Sequence, residues 1–170
     1  MILQRLFKAK PDPSAALYGA IVAAARQPRF YADWGVPDSV DGRFDMIVLH
    51  MFLVLDRLGN QGPATESFRQ SLTDGFFLDM DRSLREMGVG DLGVSKKVRR
   101  MAEAYYGRLA AYAPALAGDE PALVAALARN VFPGVELAGA LPLAEWTRNA
   151  KSGLAAQDKD AIMAGMVKFP

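Results

Sequence analysis

Residues 41–58 read DGRFDMIVLHMFLVLDRL, and the pattern in this stretch decides the fold. Asp41 is suited to cap a helix that runs to Leu58 and stops before Gly59 and Asn60. At 100° per residue, Ile47, Met51, Val54, Leu55 and Leu58 share one side of it, while Val48, Leu49, Phe52 and Leu53 cover most of the rest. Only a narrow strip through Asp45 and Asp56 is polar. A helix that is apolar nearly all round belongs at the centre of a bundle. Its apolar run from Met46 to Leu55 is too short to cross a bilayer, which needs about 20 residues.

Upstream, Ser14 is placed to cap a first helix reaching about Gln27, with Pro28 helping to end it. The segment RFYADWGVPDSV that follows reads as an irregular aromatic connection with turns at Gly35 and Pro37. Downstream, Phe68, Leu72, Phe76, Met80, Leu84 and Met87 recur every three or four residues, predicting a helix over 64–87 that Gly88 terminates. Val98, Met101, Tyr105, Leu109 and Tyr112 form the stripe of a fourth helix, starting after Ser95 and reaching about Tyr112. Further helices are predicted over 120–130, 143–154 and 158–166, with a break at Pro133 and Gly134. No alternating strand pattern, internal repeat or domain linker intervenes. The expectation is one all-α domain over 14–170, an irregular bundle of six or seven helices around a buried central helix, preceded by a flexible arm over 1–13.

The chain has 170 residues, enough for one domain with a real core. Its formal net charge of +1 supplies no general polycation, so nucleic acid is not an expected partner. The absence of cysteine removes disulfides, thiolate metal sites and cysteine nucleophiles. MILQRLFKAKPDP lacks the apolar core and cleavage site of a secretory signal. The chain is therefore expected to be soluble, and it can lie peripheral to a membrane.

Few residues suggest chemistry. Gly88, Gly90 and Gly93 match the dinucleotide fingerprint, but a long helix precedes them where that motif needs a strand, so they read as a turn between helices. His50, the only histidine, lies within the greasiest helix and reads as a hydrogen-bonded core residue, with too few neighbouring ligands for zinc or di-iron. A quinone-like ligand in a polar-lined cavity beside it would be the enzymatic alternative. Phe30, Tyr31 and Trp34 suit either anchoring of a partner or packing of a loop. Lys96, Lys97, Arg99 and Arg100 point away from the apolar stripe of their helix. Placed in a first turn, they would oppose the helix dipole at roughly 0.3–1 kcal/mol each, which argues for an acidic or phosphate partner. A related alternative is a peripheral membrane module holding anionic lipid or phosphate at the free amides of Gly93 to Lys97.

Three long runs, LYGAIVAAARQPRFYADWGVPDSVDGRFD, VDGRFDMIVLHMFLVLDRL and FFLDMDRSLREMGVGDLGVSKKVRRMAEAYYGR, resemble the ubiquinol–cytochrome c chaperone family, and the likeness continues more weakly into the tail GMVKFP. The resemblance implies an all-α assembly factor and not an enzyme, with no cofactor, no metal and no catalytic residue to carry over. Mitochondrial members help newly made cytochrome b reach the reductase, acting with a small partner protein near the ribosome exit. The expected client here is cytochrome b or another reductase subunit. Without the long targeting extension of mitochondrial members, the chain looks like a bacterial form. The residues expected to meet a protein partner are Arg43, Asp79, Asp81, Lys96, Lys97, Arg99 and Arg100.

Overall fold

The structure, a computed structural model, describes residues 12–59, 61–133 and 139–170. Among them the chain forms eight helices and no strand: α1 (Pro13–Ala25), α2 (Pro28–Ala32), α3 (Val40–Leu58), α4 (Pro63–Glu86), α5 (Asp91–Ala117), α6 (Glu120–Val131), α7 (Ala140–Ala155) and α8 (Lys159–Met163). The all-α architecture is as expected. The additional helix is α2, a single turn that Pro28 starts inside the aromatic connection. The proposed flexible arm falls almost wholly on residues 1–11, outside the described ones; Pro13 already belongs to α1.

The element α3 is the hub. It packs against α1, α4, α5, α6 and α7. These surround it in the order α1–α4–α5–α6–α7, each touching the next, and α8 returns from the end of α7 to touch α1. Every residue from Phe44 to Leu55 is buried. That includes Asp45, which the pattern placed on a polar strip: only Asp41, Arg43 and Asp56 of the charged residues on α3 reach solvent freely.

Three helix starts that differ from expectation show what decides them locally. Asp12, not Ser14, caps α1; its Oδ1 accepts from Ser14 N at 2.9 Å and from Ser14 Oγ at 2.8 Å, and Pro13 takes the first helical position. Ser39, not Asp41, caps α3, its Oγ accepting from Gly42 N at 3.1 Å. The helix α5 begins at Asp91, four residues before Ser95, and runs past Tyr112 through Pro114 to Ala117. An interior proline costs a helix about 3 kcal/mol. Here Ala115 and Leu116, buried immediately after it, offset that cost. Gly88 ends α4 as read: at φ 82°, its N–H bonds Arg85 O at 2.9 Å while Val89 N bonds Leu84 O at 3.1 Å.

The C-terminal tail, to which sequence reading gave no role, is part of the core. The Phe169 ring lies 4.8 Å from His50 and 6.3 Å from Trp146, centroid to centroid. Gln157 holds Lys168 by both backbone groups, accepting from N at 2.9 Å and donating to O at 2.8 Å. Trp146 Nε1 donates to Pro170 O at 3.2 Å. Phe30, Trp146 and Phe169 together enclose His50, whose Nδ1 donates to Met46 O at 2.8 Å. His50 is fully buried, and this desolvation pushes its pKa down to about 4. The three rings that surround His50 are aromatic side chains and not the convergent polar groups that a polar-lined quinone cavity would need. Phe30 and Trp34 likewise serve packing, meeting edge-to-face at 5.3 Å, and Tyr31 Oη donates to Ala25 O at 2.8 Å.

Helix ends near the tail are tied reciprocally. Arg57, in the last turn of α3, donates from Nε to Leu154 O at 2.7 Å, and Lys159 donates from Nζ to Leu58 O at 3.3 Å. Cations thus meet carbonyls in the last turns of α7 and α3, where the helix dipole favours them.

Two outcomes test this packing. A Cβ on Gly42 would stand 2.0 Å from the backbone oxygen of Pro37. Gly42→Ala should therefore destabilise by about 1–3 kcal/mol in urea denaturation, although helix propensity alone would make it stabilising. For His50, the folded pKa lies below the unfolded value of 6.5, so the unfolded chain binds the proton more readily and stability falls as pH drops from 6.5 toward 4. His50→Phe should remove roughly 3 kcal/mol of that acid sensitivity. Parallel stability–pH curves for the two proteins would contradict it.

Candidate protein-binding surface

The outer face of α5 carries Lys96, Lys97, Arg99 and Arg100, all exposed as the pattern required. None of the four joins an ion pair among the described residues. The dipole argument for them fails, however. With α5 starting at Asp91, its first turn is Asp91, Leu92 and Gly93, and the lysines follow one turn later. The first turn carries an acid, and Asp91 pairs with Arg85 at the end of α4. The same shift overturns the anion site at Gly93 to Lys97. Those residues lie within the helix, and Val94 N already donates to Gly90 O at 2.9 Å.

The acidic residues expected beside the cluster do not form one surface. Asp79 faces α1, its Oδ2 accepting from Tyr18 Oη at 2.8 Å. Asp81 is turned the other way and pairs with Arg85 Nε at 2.6 Å, one turn along the same helix. Arg43 is exposed beside the start of α3 and pairs with Asp38 at 2.7 Å. Arg43 and Arg100 do come together across one region of the surface, on opposite sides of Phe44 and Met101.

What sequence reading missed is the charge pair beneath that region. Asp45 is only 3% exposed, and its Oδ1 meets Nη2 of Arg108 at 2.6 Å. The Arg108 guanidinium also lies 5.3 Å from the Phe44 ring centroid. Sixty-three residues of sequence separate Asp45 from Arg108, so no local pattern links them. The available signal was a carboxylate in the middle of an apolar surface, which requires a partner. Burial holds the Asp45 carboxyl up at about 7, against the opposing pull of Arg108. Among the described residues no group of three or more histidine, aspartate or glutamate side chains is placed to hold a metal ion.

A raised acid pKa favours the fold most below the unfolded value of 3.8, and that contribution fades as pH rises through 7. Removing Arg108 deepens the loss wherever Asp45 is ionised. Arg108→Met should cost about 3 kcal/mol at pH 8, where a buried carboxylate is left alone. At pH 5 the proton neutralises it, and the cost should be clearly smaller. Equal losses at both pH values in urea titrations would contradict the pairing.

The surface and its scaffold have relatives. The sequence model of the ubiquinol-cytochrome C chaperone family matches residues 32–169. A crystal structure described as the Cbp3 homolog from Brucella abortus is 42% identical, with a TM-score of 0.85, covering 100% of this chain and 97% of its own. Ubiquinol-cytochrome-c reductase complex assembly factor 1 of Xenopus laevis is 24% identical over 116 residues, or 68% of this chain and 58% of that protein. Its counterpart in Mus musculus is 23% identical over 116 residues, with 39% of its length covered. The family match reaches from the end of α2 through Phe169 and so includes the buried hub, the Asp45–Arg108 pair and the docked tail. This chain therefore belongs to the ubiquinol-cytochrome C chaperone family.

Proposed function

We propose that this protein is an assembly chaperone for respiratory ubiquinol–cytochrome c reductase, and that its client is newly made cytochrome b. The family match over residues 32–169 carries the reading, supported by a fold shared along the whole chain with the Brucella protein and by relatives named for reductase assembly. The chaperone acts by binding and not by turnover: it covers apolar segments and polar loops of the client until their permanent neighbours arrive. The unpaired cations of α5, with Arg43, supply the polar part of that contact.

No helix among the described residues is long and apolar enough to cross a membrane. We place the protein at the cytoplasmic face of the inner membrane, where a membrane-inserted client is first accessible. A small partner protein and the ribosome exit belong to the same proposal by analogy with mitochondrial members. Deletion of the gene in its host should strongly reduce assembled reductase, read as haem b absorbance and as the intact complex on native gels. Normal reductase in the deletion strain would overturn the proposal.

A further inference from the structure

Two depressions flank the contact between Phe44 on α3 and Met101 on α5, and both residues line each of them. They are one groove in two halves. The first half, about 150 Å³, is apolar: Val40, Ile47, Met80, Leu84 and Met87 line it with the shared pair. Val40 and Met87 are 57% and 53% exposed, forming its lips. The second half, about 340 Å³, opens over the Asp45–Arg108 pair and is lined by Arg100, Arg108 and Arg129. Arg26 and Arg43 border the apolar end.

We infer that this groove receives an amphipathic helix whose apolar side chains enter the methionine-lined half and whose carboxylates meet the arginine-lined half. The inference rests on the chaperone reading and names the chemistry of the segment that is held. Charge commits the groove to such an occupant. Five arginines surround it against Asp38, Asp41 and Asp45, and Asp38 and Asp45 are already paired with Arg43 and Arg108. Arg26, Arg100 and Arg129 form no ion pair among the described residues. Planar guanidinium groups match carboxylates with two parallel hydrogen bonds. Methionine adapts its shape, so three of them suit a family of apolar side chains more than one exact ligand. A space of roughly 150 Å³ holds one aromatic or branched aliphatic side chain, and not the acyl chains of a lipid. The line from Met87 across Phe44 to Arg108 runs from the end of α4 over α3 to α5, and a helix laid along it would present anchors at i, i+3, i+4 and i+7.

The test uses the full chain and two fluorescein-labelled synthetic helices of roughly four turns. Both carry leucines on one face; one has three glutamates near one end, and the other has lysines in their place. Fluorescence anisotropy should show the glutamate peptide binding at least tenfold more tightly than the lysine peptide. Met87→Asp should weaken the glutamate peptide about tenfold. The double variant Arg100→Glu with Arg129→Glu should invert the preference. All three positions are exposed or at the rim, and unchanged circular dichroism melting will confirm that the variants fold. Equal affinity for the two peptides overturns the inference, as does Met87→Asp binding like the wild type. So does binding to phosphatidylglycerol vesicles with none to either peptide, which would mark a membrane surface. Reductase assembly separates this inference from the chaperone reading. If deletion lowers the reductase and the variants restore it in full, the groove is overturned while the chaperone reading stands. If deletion changes nothing, that reading falls, and the peptide titrations alone decide the groove.

Discussion

The covering of α3 on every side governs this molecule. Successive residues of a helix step round its axis by 100°, so an unbroken buried run from Phe44 to Leu55 faces every direction at once. One neighbouring helix shields only one stripe. Five are recruited, α1, α4, α5, α6 and α7, and the ring they form is the tertiary structure. Burial of each large apolar side chain contributes about 1.5–3 kcal/mol, which lets the ring absorb local conflicts such as Pro114 inside α5.

The same constraint decides what happens to the polar residues caught inside. His50 stays neutral because no water reaches it, and its Nδ1–H is satisfied by the Met46 carbonyl one turn earlier. Aromatic rings from α2, α7 and the tail then complete the wall around it. Asp45 lies nearer the start of α3, beside the depression that Arg100, Arg108 and Arg129 line. It reaches Arg108, whose guanidinium in turn lies over Phe44. The two buried ionisable groups of α3 thus meet different fates because one lies deep in the bundle and the other near its open end.

That end is where we propose the binding surface. Arg57 and Lys159 tie the C-terminal end of α3 to α7 and α8, and Gln157 holds the tail beside them. Around the N-terminal half, α5 and the end of α4 leave a crevice floored by Phe44 and Met101. An apolar crevice bordered by arginines suits a protein that holds polypeptide without altering it. The exposed cations of α5 adjoin the same crevice through Arg100. The proposed binding surface is therefore a part of the hub's own covering and needs no separate device.

The sequence by itself determined the helices with strong periodicity and the place of α3 at the centre. Apolar spacing is a local property, and a helix greasy on all sides has one stable position. It also determined that Lys96, Lys97, Arg99 and Arg100 face outward, since direction on a helix follows from number alone, and long ordered runs carried the family resemblance. Capping was less legible: Ser14 and Asp41 have good capping side chains, but the chain begins turning two residues earlier in each case, at Asp12 and Ser39. Only the tertiary structure decided that Asp45 is buried against Arg108, that Asp79 meets Tyr18, and that the tail packs on His50. Each of these joins residues far apart in the chain, and the pairing depends on which helices the ring brings side by side.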